Sequence, residues 1–228
     1  MTVAAGQLPL GIGLRDSATF ENYYPAGNEL VLQTLQADEE RYVYLWGGKG
    51  TGKTHLLQAI CHAAADADRH SAYIPLNALP ELSPEILTGL EQQAVIVLDD
   101  IQLIAGHEEW ELALFHLYNR AQEAGARLVV SSTVSPAGLA LELADLASRL
   151  SWGPVFQLES LNDDEKRAAL QLRARRRGLI MAEEVADYLL KRGPRDMDSL
   201  FTLLNRLDEA SLVAQRRLTI PFVRELLN

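Results

Sequence analysis

Apolar and polar positions divide the chain into two parts with different periodicities. In the first part, short apolar runs that are typical of buried strands alternate with helical patterns. The predicted strands cover 42–46, 72–76, 94–99, 127–132 and 155–158, and the predicted helices between them lie near 53–65, 83–91, 109–124 and 136–150. Strands that alternate with helices predict an α/β fold, in which a parallel sheet is covered by helices on both faces.

The second part contains helical patterns without strands. It opens at Asn162, which is followed by three acidic residues in a pattern typical of a helix start. Helices are predicted near 163–177, 182–192, 195–215 and 221–227. We therefore predict a flexible N-terminal arm over 1–17, an α/β domain over 18–160 and a small all-helical domain over 161–228.

The segment between the first predicted strand and the helix after it carries the clearest chemical signal. It reads G-x-x-x-x-G-K-T and consists of Gly47, Gly48, Lys49, Gly50, Thr51, Gly52, Lys53 and Thr54. Glycines in such a loop let successive N–H groups point at one anion. Lys53 can then reach the β- and γ-phosphates of a nucleotide, and the Thr54 hydroxyl can ligate Mg²⁺. The following helix, with His55 in its first turn, would direct its positive end at the phosphates.

Two carboxylates follow the third predicted strand. Asp99 and Asp100 end the apolar run 94–98, about 45 residues after the phosphate loop. An acid at the carboxyl edge of a parallel sheet suits a nucleotide-bound Mg²⁺. We expect Asp99 to hold the metal through water and Asp100 to polarise an attacking water molecule. An acidic turn after a core strand is the alternative interpretation.

Several other residues are ambiguous from sequence alone. Tyr23 and Tyr24 can be neighbours of a nucleotide base or packing residues of a hinge. Arg149 and Arg195 can be functional cations or solvated surface charges. The basic run 173–177 ends a predicted helix, where cations suit the helix dipole. We interpret this run as a solvated helix end, with contact to an acidic partner or to DNA as the alternative.

Composition narrows the classes of function. The chain has 228 residues, 48% of them hydrophobic, and a formal net charge of −10. Duplex-DNA binders usually carry a basic surface, so this charge disfavours nucleic acid as the main partner. No apolar run is long enough to span a membrane, and no secretory signal begins the sequence. With one cysteine, Cys61, an internal disulfide is excluded, and we predict a cytoplasmic protein.

Together these segments resemble the AAA+ ATPases and, within them, the bacterial initiator DnaA. The resemblance covers about residues 18–228 and rests on 46–57, 98–102, 147–153 and 194–197, with 20–24 similar to the start of that family's ATPase core. It implies a three-layer P-loop domain with a five-stranded parallel sheet, a small helical lid, and bound ADP or ATP with Mg²⁺.

One difference from DnaA points to a particular branch of the family. The sequence continues no further than Asn228, whereas DnaA carries a DNA-binding domain after its lid. The chain therefore resembles the Hda family, whose members work with the sliding clamp to switch DnaA off. Segments 163–166, 172–175 and 214–223 look closer to Hda than to an initiator lid.

The resemblance also assigns roles to individual residues. Arg149 matches the arginine finger, which reaches into the nucleotide site of a neighbouring protein, and Arg195 matches the sensor 2 arginine of the lid. Thr133 falls at the sensor 1 position, where initiators often have Asp. Asp145 stands where initiators have a second arginine, so self-assembly of the initiator type is not expected.

The predicted arm carries a candidate partner motif. Its residues Gln7, Leu8, Leu10 and Ile12 resemble the clamp-binding hexapeptide Q-L-S-L-P-L of the Hda family. An extended segment can offer Gln7 for hydrogen bonding and insert Leu10 and Ile12 into an apolar pocket. The implied partner is the sliding clamp (β subunit) of DNA polymerase III.

The expected function is that of a nucleotide-binding regulator. With the clamp on DNA, it would promote hydrolysis of the ATP held by DnaA, and it would contact DNA only indirectly, through the clamp. An autonomous ATPase or a helicase- or clamp-loader-type factor is the main alternative. A P-loop kinase and a DNA-binding initiator fragment are less consistent with the motifs and the charge.

Overall fold

The computed structural model describes residues 14–15 and 18–227. Within them, five strands form one sheet: β1 (Tyr42–Trp46), β2 (Ser71–Pro75), β3 (Val95–Asp99), β4 (Arg127–Ser132) and β5 (Val155–Gln157). The strand order is β2-β3-β4-β1-β5, and every pairing is parallel. The carboxyl ends of all five strands therefore meet at one edge of the sheet.

The helices of the sheet domain lie between or beside the strands. They are α1 (Glu29–Ala37), α2 (Lys53–Asp66), α3 (Glu108–Ala124) and α4 (Ala144–Arg149). After β5 the chain forms α5 (Asp163–Arg176), α6 (Glu183–Arg192), α7 (Met197–Ala214) and α8 (Ile220–Leu227). Short 3₁₀ turns complete the connections.

Alternating side chains of the strands create two separate cores, because successive residues of a strand point to opposite faces. In β1, Val43 and Leu45 pack with α1 and α2 on one face, while Tyr44 packs with α3 and α4 on the other. The strand interiors β3 and β4 are fully buried, as expected for a parallel sheet. The three-layer α/β architecture is confirmed.

A third core holds the lid helices α5–α8 together. The lid begins with a capping box, in which the backbone N–H of Glu165 donates to Asn162 Oδ1 at 3.0 Å and the N–H of Asn162 donates to Glu165 Oε2 at 2.8 Å. The helix start predicted at this point is confirmed. The fold is therefore an α/β domain followed by a small helical lid, although the domain boundaries at 17 and 160 stay predictions.

The prediction of a helix near 83–91 is wrong. The chain there forms two 3₁₀ turns, Pro84–Leu87 and Leu90–Gln92. They are separated by Gly89, whose φ of +83° lies in the left-handed region that ends a right-handed helix. Arg120 fixes both turns from α3, since it donates to the carbonyl of Leu87 at 3.0 Å and to the carboxylate of Glu91 at 2.9 Å.

The helix predicted near 136–150 is correct only over the six residues Ala144–Arg149, and α1 was not predicted. In front of α4, the carboxylate of Glu111 on α3 accepts the backbone N–H groups of Glu142 at 2.9 Å and Leu143 at 2.8 Å. Glu111 is only 1% exposed. A buried carboxylate thus satisfies backbone donors just before the start of α4 and holds the preceding residues in a loop.

Candidate nucleotide-binding site

The loop between β1 and α2 has the backbone shape that a phosphate cradle needs. Gly50 and Gly52 adopt φ angles of +80° and +92°. Gly52 also has no room for a side chain, because a Cβ there would stand 2.7 Å from Cε2 of Tyr23. The helix α2 begins directly after Gly52, so its unpaired N–H groups and the positive end of its dipole face the loop.

Lys53 is held inside this loop. It is 7% exposed, and its Nζ donates to the carbonyl oxygens of Gly47 and Gly48, each at 2.8 Å. Burial lowers the pKa of Lys53, an effect that the nearby carboxylates of Asp100 and Asp99 oppose. A buried cation beside backbone N–H groups is a strong site for a phosphate anion.

Asp99 is fixed by three hydroxyl groups at the carboxyl edge of the sheet. Thr54 Oγ1 donates to Asp99 Oδ2 at 2.7 Å, Tyr73 donates to the same oxygen at 2.9 Å, and Ser131 donates to Oδ1. Tyr73 and Ser131 were not predicted, although they lie on β2 and β4, the two strands that flank β3. The structure thus brings the two predicted metal residues, Thr54 and Asp99, into direct contact.

The donor set of this edge fits a nucleotide-bound Mg²⁺. Mg²⁺ prefers oxygen ligands and usually takes only one or two from the protein, with phosphates and water supplying the rest. In the described part of the chain, no group of three or more His, Cys, Asp or Glu residues could hold a metal by itself. Thr54 and Asp99 would hold the ion, which would neutralise charge on the phosphates.

Asp100 occupies a left-handed backbone conformation, with φ of +65°. Its N–H donates to Ser131 Oγ at 3.0 Å, and its Oδ1 accepts from Gln102 Nε2 at 3.0 Å. Gln102 also accepts the N–H of Thr133 at 3.1 Å. Gln102, which the sequence analysis did not single out, therefore joins the predicted water-polarising residue to the sensor 1 position. The side chain of Thr133 itself is exposed.

A cavity of about 460 Å³ opens beside the phosphate loop, a size typical of a small-molecule site. It lies between the loop, the segment containing Tyr23 and Tyr24, and the lid helices α5 and α7. Several predicted residues meet in its wall, namely Tyr23, Tyr24, Gly50, Thr51, Gly52, Thr54 and His55. The cavity thus extends from the phosphate loop to the lid.

His55 connects this wall to the N-terminal segment. Its Nε2 lies 2.8 Å from the carbonyl oxygen of Thr19, and its ring centroid lies 5.7 Å from that of Tyr23. Burial lowers the pKa of His55 to about 4. At neutral pH the imidazole is therefore uncharged, with Nε2 as the donor to Thr19, and the positive charge at the start of α2 comes from Lys53.

The lid contributes Arg173, Arg177 and Asp198 to the cavity wall. This corrects the interpretation of the run 173–177 as a solvated helix end for Arg173, whereas Arg175 and Arg176 are exposed. Arg173 is 6% exposed and lines the cavity together with Arg177 and Arg15. Its Cζ lies 4.1 Å from the ring centroid of Phe201. Burial, together with Arg177 and Arg15, lowers the pKa of Arg173 to about 10. The spacing of Ala169, Arg173 and Arg177 on one face of α5 was the available signal.

Comparison with known proteins agrees with this geometry. The family described as "Hda, lid domain" matches residues 163–227, and the family "Bacterial DnaA ATPAse domain" matches residues 83–157. An uncharacterized protein of Haemophilus influenzae is 45% identical over 227 residues, covering 97% of this chain and 98% of its own length. The chain belongs to the DnaA-like AAA+ proteins, close to Hda.

Solved structures of this group share the fold. Domain III of DnaA from Thermotoga maritima superposes with a TM-score of 0.75 at 21% identity, over 94% of this chain and 97% of that one. DnaA bound to AMPPCP and single-stranded DNA gives a TM-score of 0.70 at 22% identity, over 89% and 69% of the two chains. At these identities the likeness establishes the AAA+ fold alone.

Among the described residues, five predicted nucleotide-binding residues of this DnaA-like chain are not in the cavity wall, namely Gly47, Gly48, Lys49, Lys53 and Arg195. Gly47, Gly48 and Lys53 belong to the hydrogen-bonded phosphate loop, whereas Lys49, at the tip of that loop, and Arg195 are exposed. The carbonyl oxygen of Arg195 accepts from Lys166 Nζ at 3.2 Å. The sensor 2 role of Arg195 therefore stays a prediction, and the lid arginine that does line the cavity is Arg173 of α5.

Arg149 lies at the end of α4, on the other face of the sheet. Its Nε donates to Asn119 Oδ1 at 2.8 Å, and its Cζ lies 4.0 Å from the ring centroid of Phe115 and 5.0 Å from that of Trp152. Among the residues described, Arg149 does not line the cavity beside the phosphate loop. A half-buried guanidinium is thus positioned by neighbours that the sequence analysis did not identify.

The remaining predictions concern the arm and the membrane. Gln7, Leu8, Leu10 and Ile12 lie outside the described residues, so the clamp-binding motif stays a prediction. In the part of the chain that is described, none of the helices is both long enough and apolar enough to cross a membrane.

Proposed function

We propose that this protein is a nucleotide-bound regulator of DnaA. In this proposal the chain holds ADP or ATP with Mg²⁺ in the cavity beside the phosphate loop. Lys53 and the N–H groups at the start of α2 would bind the phosphates, while Thr54 and Asp99 would hold the metal. The AMPPCP-bound DnaA structure supports this assignment, because that relative binds an ATP analogue on the same fold.

The regulatory act would be the supply of Arg149 to ATP held by DnaA. The observation that carries this proposal is the support around Arg149. The side chain is held by Asn119, Phe115 and Trp152 while remaining outside the wall of the chain's own cavity. An arginine that is held away from the nucleotide site of its own chain is free to contact a nucleotide bound by a neighbouring molecule. An arginine finger of this kind contributes roughly 10³–10⁵ in rate.

The sliding clamp is the second proposed partner. Gln7, Leu8, Leu10 and Ile12 would bind it as an extended segment, with the apolar side chains in a pocket. The clamp on DNA would then bring the regulator close to DnaA, so contact with DNA would be indirect. The net charge of −10 is consistent with this arrangement.

The test measures ATP hydrolysis by DnaA in the presence of this protein, the clamp and DNA, with each component omitted in turn. We expect stimulation only in the complete mixture. Arg149→Ala should remove the stimulation but retain binding of nucleotide and of the clamp, because a finger stabilises charge that develops in the transition state. Arg149→Lys should restore little of the stimulation, since lysine lacks the planar, forked guanidinium group of arginine.

One control variant and one test of the clamp motif accompany this assay. Arg217→Ala removes an exposed arginine of the lid and should leave stimulation unchanged. Replacing Gln7 and Leu10 by alanine should abolish recovery of this protein with the clamp in a pull-down experiment. If Arg149→Ala stimulates DnaA as well as the wild type does, the regulator mechanism is wrong. Fast hydrolysis by this protein alone would then favour an autonomous ATPase.

A further inference from the structure

One polar atom in the cavity wall has no partner. The side-chain Oδ1 of Asn205, on α7, is buried and forms no hydrogen bond with any residue that the structure describes. Asn205 lines the same cavity as the phosphate loop. A buried acceptor without a donor costs free energy that a ligand carrying a donor would recover.

The position of Asn205 relates this atom to one end of the cavity. Met197, Phe201 and Asn205 are spaced four residues apart, so they share one face of α7. At the first of these, the backbone nitrogen of Met197 lies 3.9 Å from where a Cβ on Gly50 would stand. Eight residues at a rise of about 1.5 Å place Asn205 about 12 Å farther along the helix. Asn205 therefore lines the cavity about two helical turns beyond the residue that meets Gly50, so we expect it to face the part of a nucleotide that lies beyond the phosphates.

The groups around Asn205 suit a flat heterocycle. Phe201, one turn before it, carries the guanidinium of Arg173 at 4.1 Å from its ring centroid. Leu161, Ala169 and Tyr24 also line the cavity and add apolar surface. The planar and apolar walls would contact the faces of a base, and the buried acceptor of Asn205 would form a hydrogen bond with its edge.

We propose that Asn205 Oδ1 accepts a hydrogen bond from the exocyclic amino group of the bound base. This inference rests on the nucleotide binding proposed above and adds its base specificity. Adenine and cytosine carry an amino group where hypoxanthine and uracil carry a carbonyl oxygen. A carbonyl in that place would face Asn205 Oδ1 as a second acceptor, and the amide would have to rotate to offer Nδ2, so we expect such analogues to bind less tightly.

The experiment compares matched nucleotide pairs by calorimetric titration in the presence of Mg²⁺. Wild-type protein should bind ADP about tenfold or more tightly than IDP, and CDP more tightly than UDP by a similar factor. Asn205→Ala should bring both ratios close to one by weakening ADP and CDP. Asn205→Asp keeps acceptor oxygens in the same shape and should preserve the preference.

The control variants separate recognition from folding. Arg206→Ala changes the exposed neighbour of Asn205 on α7 and should leave both ratios unchanged. Because the unpaired Asn205 Oδ1 costs free energy in the protein without nucleotide, Asn205→Ala without nucleotide should melt no lower than the wild type.

Two results would overturn the inference. One is a wild-type protein that binds ADP and IDP equally, and the other is a preference that survives in Asn205→Ala. Both would leave the proposed nucleotide binding intact. By contrast, a wild-type protein that binds none of the four nucleotides, like a Lys53→Ala variant, would overturn the proposed binding together with this inference.

Discussion

His55 should make the nucleotide-free protein less stable below pH 6.5. In the folded state, burial lowers the pKa of His55 to about 4, whereas the value for an unfolded chain is 6.5. The imidazole therefore stays neutral in the fold over a range in which the unfolded chain takes up a proton. Because the unfolded state binds more protons there, the free energy of unfolding falls as the pH is lowered from about 6.5 to about 4.

The magnitude follows from the two pKa values. A difference of about 2.5 units corresponds to a maximum of about 3 kcal/mol, reached below pH 4. Between pH 7.5 and pH 5.0, the same values give a loss of about 2 kcal/mol. For a chain of this size, such a loss lowers the melting temperature by about 4–8 °C. Above pH 7.5, His55 does not make the free energy of unfolding depend on pH.

The assay is urea denaturation of the nucleotide-free protein at several pH values between 7.5 and 5.0. Other groups also titrate in this range, so the comparison is with His55→Gln, which retains a donor for the carbonyl of Thr19 but has no ionisation. The slope of stability against pH should be smaller in the variant, and the two curves should differ by about 2 kcal/mol between the ends of the range. Parallel curves for the two proteins would refute the assignment of a buried, neutral His55.

Three further changes test the site. Lys53→Ala should abolish the stabilisation by ADP, which for the wild type is about 2.7 kcal/mol at 100 times the dissociation constant, as measured by thermal melting; a variant stabilised as well as wild type would contradict the role of Lys53. Asn119→Ala should reduce the stimulation of DnaA about tenfold by releasing Arg149, while ADP binding stays unchanged, and equal stimulation would mean that this support is not needed. Gly52→Ala should destabilise the fold by about 1–3 kcal/mol in urea, because its Cβ would meet Tyr23, and an unchanged midpoint would contradict that contact.

The sheet could be predicted because its strands are short, mostly apolar runs that alternate with helical patterns. The predicted and observed bounds are the same for β1 and β4, and they differ by one residue at one or both ends in the other strands. The glycines of the phosphate loop and the acids at the end of β3 identified the edge of the sheet that carries the candidate site, because parallel strands bring their carboxyl ends together. The order of the strands in the sheet, by contrast, depends on contacts between residues that are far apart in the sequence. The spacing of apolar residues does not show these contacts.

The predictions failed where a tertiary contact outweighs local preference. The start of α4 is determined by Glu111, which lies more than 30 residues earlier in the chain and accepts the backbone N–H groups of Glu142 and Leu143. The same limit applies to Arg173, whose burial depends on the packing of α5 and α7 around the cavity. The four-residue spacing from Ala169 to Arg173 shows that they share a helix face, but it does not show whether that face meets solvent or another helix.

The location of the cavity explains why a regulator of this kind would bind a nucleotide that it need not hydrolyse. Its walls come from both parts of the molecule, since Thr54 and His55 belong to α2 whereas Arg173 and Phe201 belong to the lid. A ligand that contacts both walls binds only when the lid lies against the phosphate loop, so its binding free energy stabilises that arrangement. Because Arg149 is held by α3 and α4 on the other face of the sheet, it would remain available to a second protein while the nucleotide fixes the lid.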